Sequence, residues 1–297
     1  MAVVTRARLE PRDVAAAVKA ARASGCSGTE LLVTAPFLSA RAMELLRAEN
    51  ASYIDRTGNL RLTLSRPAVF IETQGARKDP AAAARPIGSL KGPAAGRVVR
   101  ALCDCRPPFG VRELAKRSQT PLGSVSRVVA FVEKEALLTR EPRGPILSVD
   151  WSGLIRRWTQ EYSLTGSNEA LSFLEPRGLE GLLAKLKKVP TRYSVTGSLA
   201  AGIRTSTSLS RLGVVFVEDI EVAASELRLK QSERGANVML VRPFDPVVFE
   251  RGAVVEGVRY ACPSQVAADL LTSPGRSPAE GEELLRWMQE HRDEWGA

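Results

Sequence analysis

The chain has 297 residues, of which 44% are hydrophobic and 25% are charged, and its net charge is +9. These values fit a folded protein of about two or three domains, and they exclude disordered, collagen-like and fibrous chains. No apolar run reaches the roughly 20 residues of a membrane span and no signal peptide is visible, so the expected location is the cytoplasm.

Histidine and cysteine are too scarce for several common catalytic sites. The only histidine is His291, and the four cysteines have neither C-x-x-C spacing nor the pattern of a disulfide framework. The sequence therefore argues against histidine-based zinc sites, Ser-His-Asp triads and Cys-His dyads, and no metal or cofactor is expected.

The positive charge is concentrated in the first half of the chain. Residues 1–95 carry 14 basic and 8 acidic side chains, residues 96–165 carry 12 and 7, and residues 166–297 carry 16 and 18. A localised basic excess is typical of proteins that bind nucleic acid, because neutralised phosphates release counterions.

Residues 1–77 are predicted to form a small α/β domain. The predicted helices are Pro11–Ser24 and Ser39–Asn50, and the predicted strands are Glu30–Thr34, Ser52–Ile54, Leu60–Leu64 and Ala68–Glu72. Residues 78–96 are rich in proline, glycine and alanine and have no apolar stripe, so they are interpreted as a linker.

Residues 97–165 show the pattern of a helix-turn-helix followed by a β-ribbon. Helices are predicted at Arg97–Asp104, Val111–Ser118 and Gly123–Glu135, and strands at Leu137–Arg140 and Ile146–Val149. In the turn before the third helix, Thr120 is predicted to act as the N-cap and Pro121 to occupy the first helical position.

This stretch resembles the winged helix-turn-helix domains of bacterial regulators, in which the second helix of the motif enters the major groove. Four valines of that helix, Val125, Val128, Val129 and Val132, are expected to face the core. The predicted DNA-contacting residues are Lys116, Arg117, Thr120, Ser124, Ser126, Arg127, Arg140 and Arg143. A winged helix used only for protein contacts is the alternative.

Residues 166–297 are predicted to form an α/β domain. A helix is also predicted at Trp151–Tyr162, at the end of the preceding segment. Within residues 166–297, helices are predicted at Asn168–Leu174, Leu179–Val189 and Pro278–Glu290, with alternating strands and helices from Tyr193 onward.

Gly197-Ser198 after a strand, followed by Asp219 and Glu221, resembles the phosphate-binding turn and metal-binding acids of nucleotidyltransferases. Twenty residues separate Ser198 from Asp219, and no further acid completes a metal site, so transferase activity is not expected.

Several segments between residues 97 and 295 resemble the AbiEi family, most specifically Gln265–Asp269 and Gly275-Arg276. Members of that family are transcriptional regulators and antitoxins of type IV toxin-antitoxin systems. The resemblance implies a repressor with a C-terminal regulatory or antitoxin domain, and a nucleotidyltransferase-type toxin as a further candidate partner.

In the first domain, Asp55 and Glu72 resemble the metal-binding acids of PD-(D/E)xK nucleases, which stand on adjacent strands. Gln74 occupies the position of the expected lysine, so the nuclease-like site is interpreted as degenerate.

The sequence thus predicts an α+β protein with a nuclease-like domain, a winged helix-turn-helix and a nucleotidyltransferase-like domain. The predicted function is sequence-specific binding of double-stranded DNA by a transcription regulator that is not an enzyme. A metal-dependent nuclease guided by the winged helix and a toxin-neutralising antitoxin are the alternatives, and a second copy of the chain is a candidate partner.

Overall fold

A computed structural model describes residues 1–23, 30–81, 89–205 and 210–296. Within these ranges the chain is a mixed α+β protein that contains three sheets. Its contacts divide it into two compact units, Met1–Gly88 with Ala130–Leu138, and Ser89–Val129 with Thr139–Ala297. Every helix in the described part is too short or too polar to cross a membrane.

The N-terminal residues form a five-stranded sheet whose strands lie side by side in chain order. The first three strands are parallel, and the last two continue as antiparallel neighbours. The elements are β1 Ala2–Thr5, a 3₁₀ turn Pro11–Asp13, α1 Val14–Ala23, β2 Leu31–Ala35, α2 Ala40–Ala48, β3 Ser52–Asp55, β4 Leu60–Ser65 and β5 Ala68–Thr73. Apolar side chains from both helices and from β2 and β3 form the core of this unit.

Most predicted elements of this unit are confirmed. The four predicted strands agree within one residue at each end, and Ser39 caps α2 by accepting a hydrogen bond from the Ala42 amide at 3.2 Å. The predicted helix Pro11–Ser24 begins as a 3₁₀ turn, and its last residue lies outside the described residues. Strand β1 was not predicted, because its parallel pairing with β2 joins segments that are distant in sequence and the local pattern of Ala2–Thr5 does not show it.

Three helices and a two-stranded sheet follow, as the sequence pattern predicts. They are α3 Pro93–Asp104, α4 Val111–Arg117, α5 Leu122–Lys134, β6 Leu138–Arg140 and β7 Ile146–Val149. Within the predicted linker 78–96, residues 82–88 lie outside the described residues, and α3 already begins at Pro93.

The C-terminal part contains a seven-stranded sheet with helices. Its elements are α6 Trp151–Trp158, β8 Glu169–Leu174, α7 Gly178–Leu186, β9 Tyr193–Thr196, α8 Gly197–Ala201, β10 Gly213–Val217, α9 Ile220–Glu226, β11 Lys230–Gln231, β12 Val238–Arg242, a 3₁₀ turn Pro246–Phe249, β13 Ala253–Val255, β14 Val258–Tyr260, α10 Pro263–Leu271, α11 Ser277–Glu290 and α12 Arg292–Trp295. The strand order is β11-β8-β12-β10-β9-β14-β13. Central β10 is buried along its whole length, parallel to β12 and antiparallel to β9.

One predicted helix in this part is wrong. Residues Asn168–Leu174 were expected to be helical, but Glu169–Leu174 form β8, which pairs with β12 on one side and β11 on the other. Glutamate, alanine and leucine favour helices locally, and pairing with two strands overrides that preference in so short a segment.

Candidate nucleic-acid interface

The connection between α4 and α5 is a tight turn formed by the main chain. Gln119 has a left-handed φ of 48°, and the Thr120 amide donates to the Ala115 carbonyl at 3.1 Å. This hydrogen bond is typical of a Schellman helix end. Only four residues separate α4 from α5, so the two helices form a helix-turn-helix.

Thr120 does not occupy the role predicted for it. Its hydroxyl donates to the Ser118 carbonyl at 2.9 Å, and its side chain is only 6% exposed. The threonine therefore stabilises the turn from inside instead of capping α5, which begins at Leu122. A buried hydroxyl cannot reach DNA, so Thr120 is not part of the candidate interface.

The apolar face of α5 is buried as predicted. Val125, Val128, Val129 and Val132 are all buried. Helical geometry then turns the opposite face outward, and Ser126 and Arg127 are exposed while Ser124 is half-buried. The first two turns of α5 thus present two hydroxyls and one cation to the solvent.

Arg127 lies along the first turn of its own helix. Its Nε donates to the Gly123 carbonyl at 3.3 Å, and its Nη2 donates to the Ser124 hydroxyl at 3.2 Å. These two bonds hold the guanidinium near the start of α5, and its remaining donors are available to a base edge or a phosphate.

The cations of α4 are exposed beside this helix. Arg117 forms an ion pair with Glu113, and its guanidinium lies 5.6 Å from the centre of the Phe109 ring. Lys116 is exposed one residue earlier. Sequence analysis missed the exposed Arg112, which shares a helix face with Lys116 and could have been found from their four-residue spacing.

The ribbon β6–β7 is tied to the segment before α4. The Phe109 amide donates to the Ile146 carbonyl at 3.3 Å, and the Ile146 amide donates back to Phe109 at 2.9 Å. The Phe109 ring also contacts the Arg117 guanidinium, so the last turn of α4 lies next to β7.

An exposed arginine stands at the tip of the ribbon. The turn closes through a 2.9 Å hydrogen bond from the Gly144 amide to the Glu141 carbonyl, and Arg143 within it has a φ of 60°. Arg143 is exposed, whereas Arg140 on β6 is half-buried.

Helix α3 connects the helix-turn-helix to the seven-stranded sheet. Arg97 donates through Nε to both carboxylate oxygens of Asp245, at 2.8 and 3.0 Å, and through Nη1 to the Gln119 carbonyl at 3.3 Å. Asp245 is itself fixed, because it accepts from the Val247 amide at 2.9 Å. One side chain thus joins the turn before α5 to the 3₁₀ turn after β12.

A buried ion pair holds the middle of α3. Arg100 and Asp104 are 3.2 Å apart and essentially inaccessible to solvent, and Arg251 reaches the same carboxylate at 2.7 Å. Arg100 also donates to Ser264 at 3.0 Å and to Gln265 at 2.8 Å. Burial acts to raise the pKa of Asp104, but the two arginines outweigh it and lower this pKa.

The network continues from Gln265 to a buried carboxyl group on α10. Asp269 accepts hydrogen bonds from Tyr162 at 2.6 Å, from Thr196 at 2.6 Å and from Gln265 at 2.9 Å. All three donors are neutral. Burial raises the pKa of Asp269 to about 6, although these hydrogen bonds oppose the shift.

Asp269 is expected to make stability depend on pH. Its folded pKa lies above the ordinary value of 3.8, so the folded protein keeps a proton that the unfolded chain releases. The unfolding free energy should therefore fall as pH rises from about 4 to about 6, by at most about 1.4 kcal/mol per pH unit. Urea unfolding at several pH values in this range measures the unfolding free energy of the wild type and of Asp269→Asn. If the two free energies changed with pH in the same way, Asp269 would not be the group responsible.

The nuclease-like residues do not assemble as the resemblance implies. Asp55 ends β3 and Glu72 lies on β5, and β4 runs between these strands, so the two acids are not on adjacent strands. Glu72 forms an ion pair with Arg47 of α2, and Gln74 is exposed just beyond β5.

Asp55 is a buried structural carboxylate. It accepts from the amides of Leu38 at 3.0 Å, Thr57 at 2.7 Å and Asn59 at 3.1 Å, and from the side chains of Thr57 at 2.7 Å and Asn59 at 2.8 Å. Burial would raise the pKa of Asp55, but these hydrogen bonds prevail and lower it. The carboxylate thus organises the β3–β4 turn, which leaves it poorly placed to bind a metal.

The nucleotidyltransferase-like residues lie apart as well. Strands β9 and β10 are antiparallel, with Thr196 opposite Val214 and Tyr193 opposite Val217. Gly197-Ser198 therefore follows one end of this pair and Asp219 follows the other, and the three residue steps from Tyr193 to Thr196 alone span about 10 Å along the strand. Asp219 also caps α9 by accepting from the Val222 amide at 3.0 Å.

The described residues contain no group of three or more histidine, cysteine, aspartate or glutamate side chains placed to hold a metal ion.

Comparisons of the chain with protein-family models, with curated proteins and with solved structures find no match.

Proposed function

We propose that this protein is a sequence-specific DNA-binding transcription regulator, a repressor of the AbiEi antitoxin type. In this proposal α3, α4, α5, β6 and β7 act as a winged helix-turn-helix, and α5 enters the major groove of double-stranded DNA. The observation that carries the proposal is the first two turns of α5, where Ser124, Ser126 and Arg127 face outward while the valines are buried.

The surrounding cations support a role in holding the DNA backbone. Arg112, Lys116 and Arg117 line the exposed side of α4, and Arg143 stands at the tip of the ribbon. Cations in such positions neutralise phosphates and fix the register of the protein on the duplex.

The AbiEi resemblance adds partners to the proposal. A cognate nucleotidyltransferase-type toxin and a second copy of the chain are the proposed protein partners. The C-terminal sheet then serves as the regulatory or antitoxin part, and the protein acts on DNA in the cytoplasm.

Selection from a random DNA library tests this function. The full chain should enrich one motif, and the enriched duplex should be shifted at a salt concentration where a scrambled duplex of equal length is not. A second copy of the chain at the site predicts a palindromic motif. Recovery of unenriched sequences would contradict sequence-specific binding.

Arg143→Asn should weaken binding to all duplexes alike. Asparagine tolerates the left-handed conformation at this position, so the turn stays intact and only the cation is lost. The slope of log affinity against log salt should decrease by about one unit, because one phosphate contact disappears. Anisotropy titrations at several salt concentrations measure the slope, and an unchanged slope would remove Arg143 from the interface.

The protein is expected neither to cut DNA nor to transfer nucleotides. The Asp55 carboxylate is saturated with hydrogen bonds, and Gly197 and Asp219 stand at opposite ends of the β9–β10 pair. Incubation with DNA, or with labelled nucleoside triphosphates, in Mg²⁺ or Mn²⁺ should yield no product. Cleavage that Asp55→Ala abolishes would instead favour a nuclease.

A further inference from the structure

A cavity of about 460 Å³ opens at the edge of the seven-stranded sheet, where β9, β14 and β13 run side by side. Its volume falls within the range of pockets that hold small molecules, about 300–1,000 Å³. The cavity contains Tyr193 and Ser194, the first residues of β9, whereas Gly197 follows the last residue of this strand. It is therefore separate from the nucleotidyltransferase-like turn.

Three arginines line the cavity, and among the described residues none that lines it is acidic. The Arg192 guanidinium lies 4.8 Å from the centre of the Phe249 ring, and that of Arg259 lies 5.7 Å from the centre of the Tyr193 ring. Stacking on a ring fixes a guanidinium in place while its N–H donors remain available.

These arginines have few carboxylate partners in the described part of the chain. Arg192 has a carboxylate 3.5 Å away on Glu218, but both side chains are about half exposed, so that pair is weak. Arg259 has no ion pair within the described part of the chain. The Nη2 atom of Arg251 is buried and, among the described residues, lacks a hydrogen-bond partner.

We propose that this cavity binds a small phosphate monoester with a compact apolar body. A phosphate dianion suits a site with more than one guanidinium, because each planar fork can donate two parallel hydrogen bonds to phosphate oxygens. Pro190, Ala253 and Val254 supply apolar surface for the body of the ligand.

Phenyl phosphate is the probe, titrated calorimetrically into the full-length protein without DNA. Inorganic phosphate lacks the apolar body and phenol lacks the charge, so each should bind at least tenfold more weakly than phenyl phosphate. Because no DNA is present, the result is independent of the proposed regulatory function.

Arg259→Gln and Arg192→Gln should each weaken phenyl phosphate binding at least tenfold. Both residues are exposed, and the Arg192 side chain is about half exposed, so the folded protein should survive. Arg251 is unsuitable because it also forms an ion pair with Asp104. Arg242→Gln is the matched control, since it removes an exposed, ion-paired arginine from β12 of the same sheet, outside the cavity.

Two results would overturn the proposal as a whole, and a third would overturn its apolar part. One is no measurable heat of binding with phenyl phosphate at millimolar concentration. The other is binding that Arg259→Gln and Arg192→Gln leave at the wild-type affinity, because the anion would then be held elsewhere on this basic protein. Equal affinities for phenyl phosphate and inorganic phosphate would overturn the assignment of the apolar body.

Discussion

Replacing Arg127 with glutamine should weaken binding to the selected DNA site by about 1–3 kcal/mol, which is about 5- to 150-fold in affinity. The guanidinium is held over the first turn of α5 by Gly123 and Ser124, where a recognition helix meets base edges. Glutamine keeps a polar side chain of moderate length but loses the charge and the fork of donors. Anisotropy titration of labelled duplex at fixed salt measures the change.

Two comparisons make this prediction specific. Arg242→Gln removes the same charge from a distant strand and should leave the affinity within about twofold. The loss in Arg127→Gln should also be larger for the selected site than for a scrambled duplex, because a base contact specifies sequence and a phosphate contact does not. Equal losses of affinity on both duplexes would mean that Arg127 contacts the DNA backbone and not a base.

Replacing Asp104 with alanine should lower the unfolding free energy by about 3–5 kcal/mol. Arg100 is completely buried, and Asp104 is its ion-pair partner at 3.2 Å. Alanine would leave that guanidinium in the protein interior without its carboxylate, and it would also remove the acceptor for Arg251 and Ser264. Equilibrium unfolding in urea measures the loss.

A surface acid provides the control for this variant. Asp293 also pairs with an arginine, Arg106 at 2.6 Å, but its side chain is 91% exposed. Asp293→Ala should therefore change stability by less than about 0.5 kcal/mol. The double variant Arg100→Met with Asp104→Leu should recover part of the loss, because the fully buried guanidinium is removed together with its carboxylate, while Arg251 keeps Glu250 at 3.1 Å as its partner. A loss below about 1 kcal/mol in Asp104→Ala would mean that water reaches the site.

The helix-turn-helix could be predicted from sequence because its signals are local. The spacing of Val125, Val128, Val129 and Val132 defines one helical face, and the structure buries that face. Thr120 shows the limit of such signals. A threonine before proline is a common helix start, but the direction of its hydroxyl depends on the Ser118 carbonyl, which the sequence pattern does not reveal.

The buried network around Arg100 and the position of the nucleotidyltransferase-like residues could not be predicted, because both depend on contacts between segments distant in sequence. Arg100 and Asp104 stand on α3, but the groups that satisfy them, including Ser264 and Arg251, come from the far end of the chain. Composition gives no sign that these charges are buried. Gly197 and Asp219 likewise do not form one site. Strands β9 and β10 are antiparallel, so the two residues lie at opposite ends of the strand pair, and the sequence pattern does not show the direction of the strands.

The ratio of specific to non-specific DNA affinity tests the central claim most directly. The wild-type chain should be titrated at one salt concentration against the selected duplex and against a scrambled duplex of the same length and base composition. A regulator that reads sequence with α5 should prefer its site by about 10³-fold or more. Equal affinities for the two duplexes would contradict the account, because the positive charge alone would then explain all of the binding.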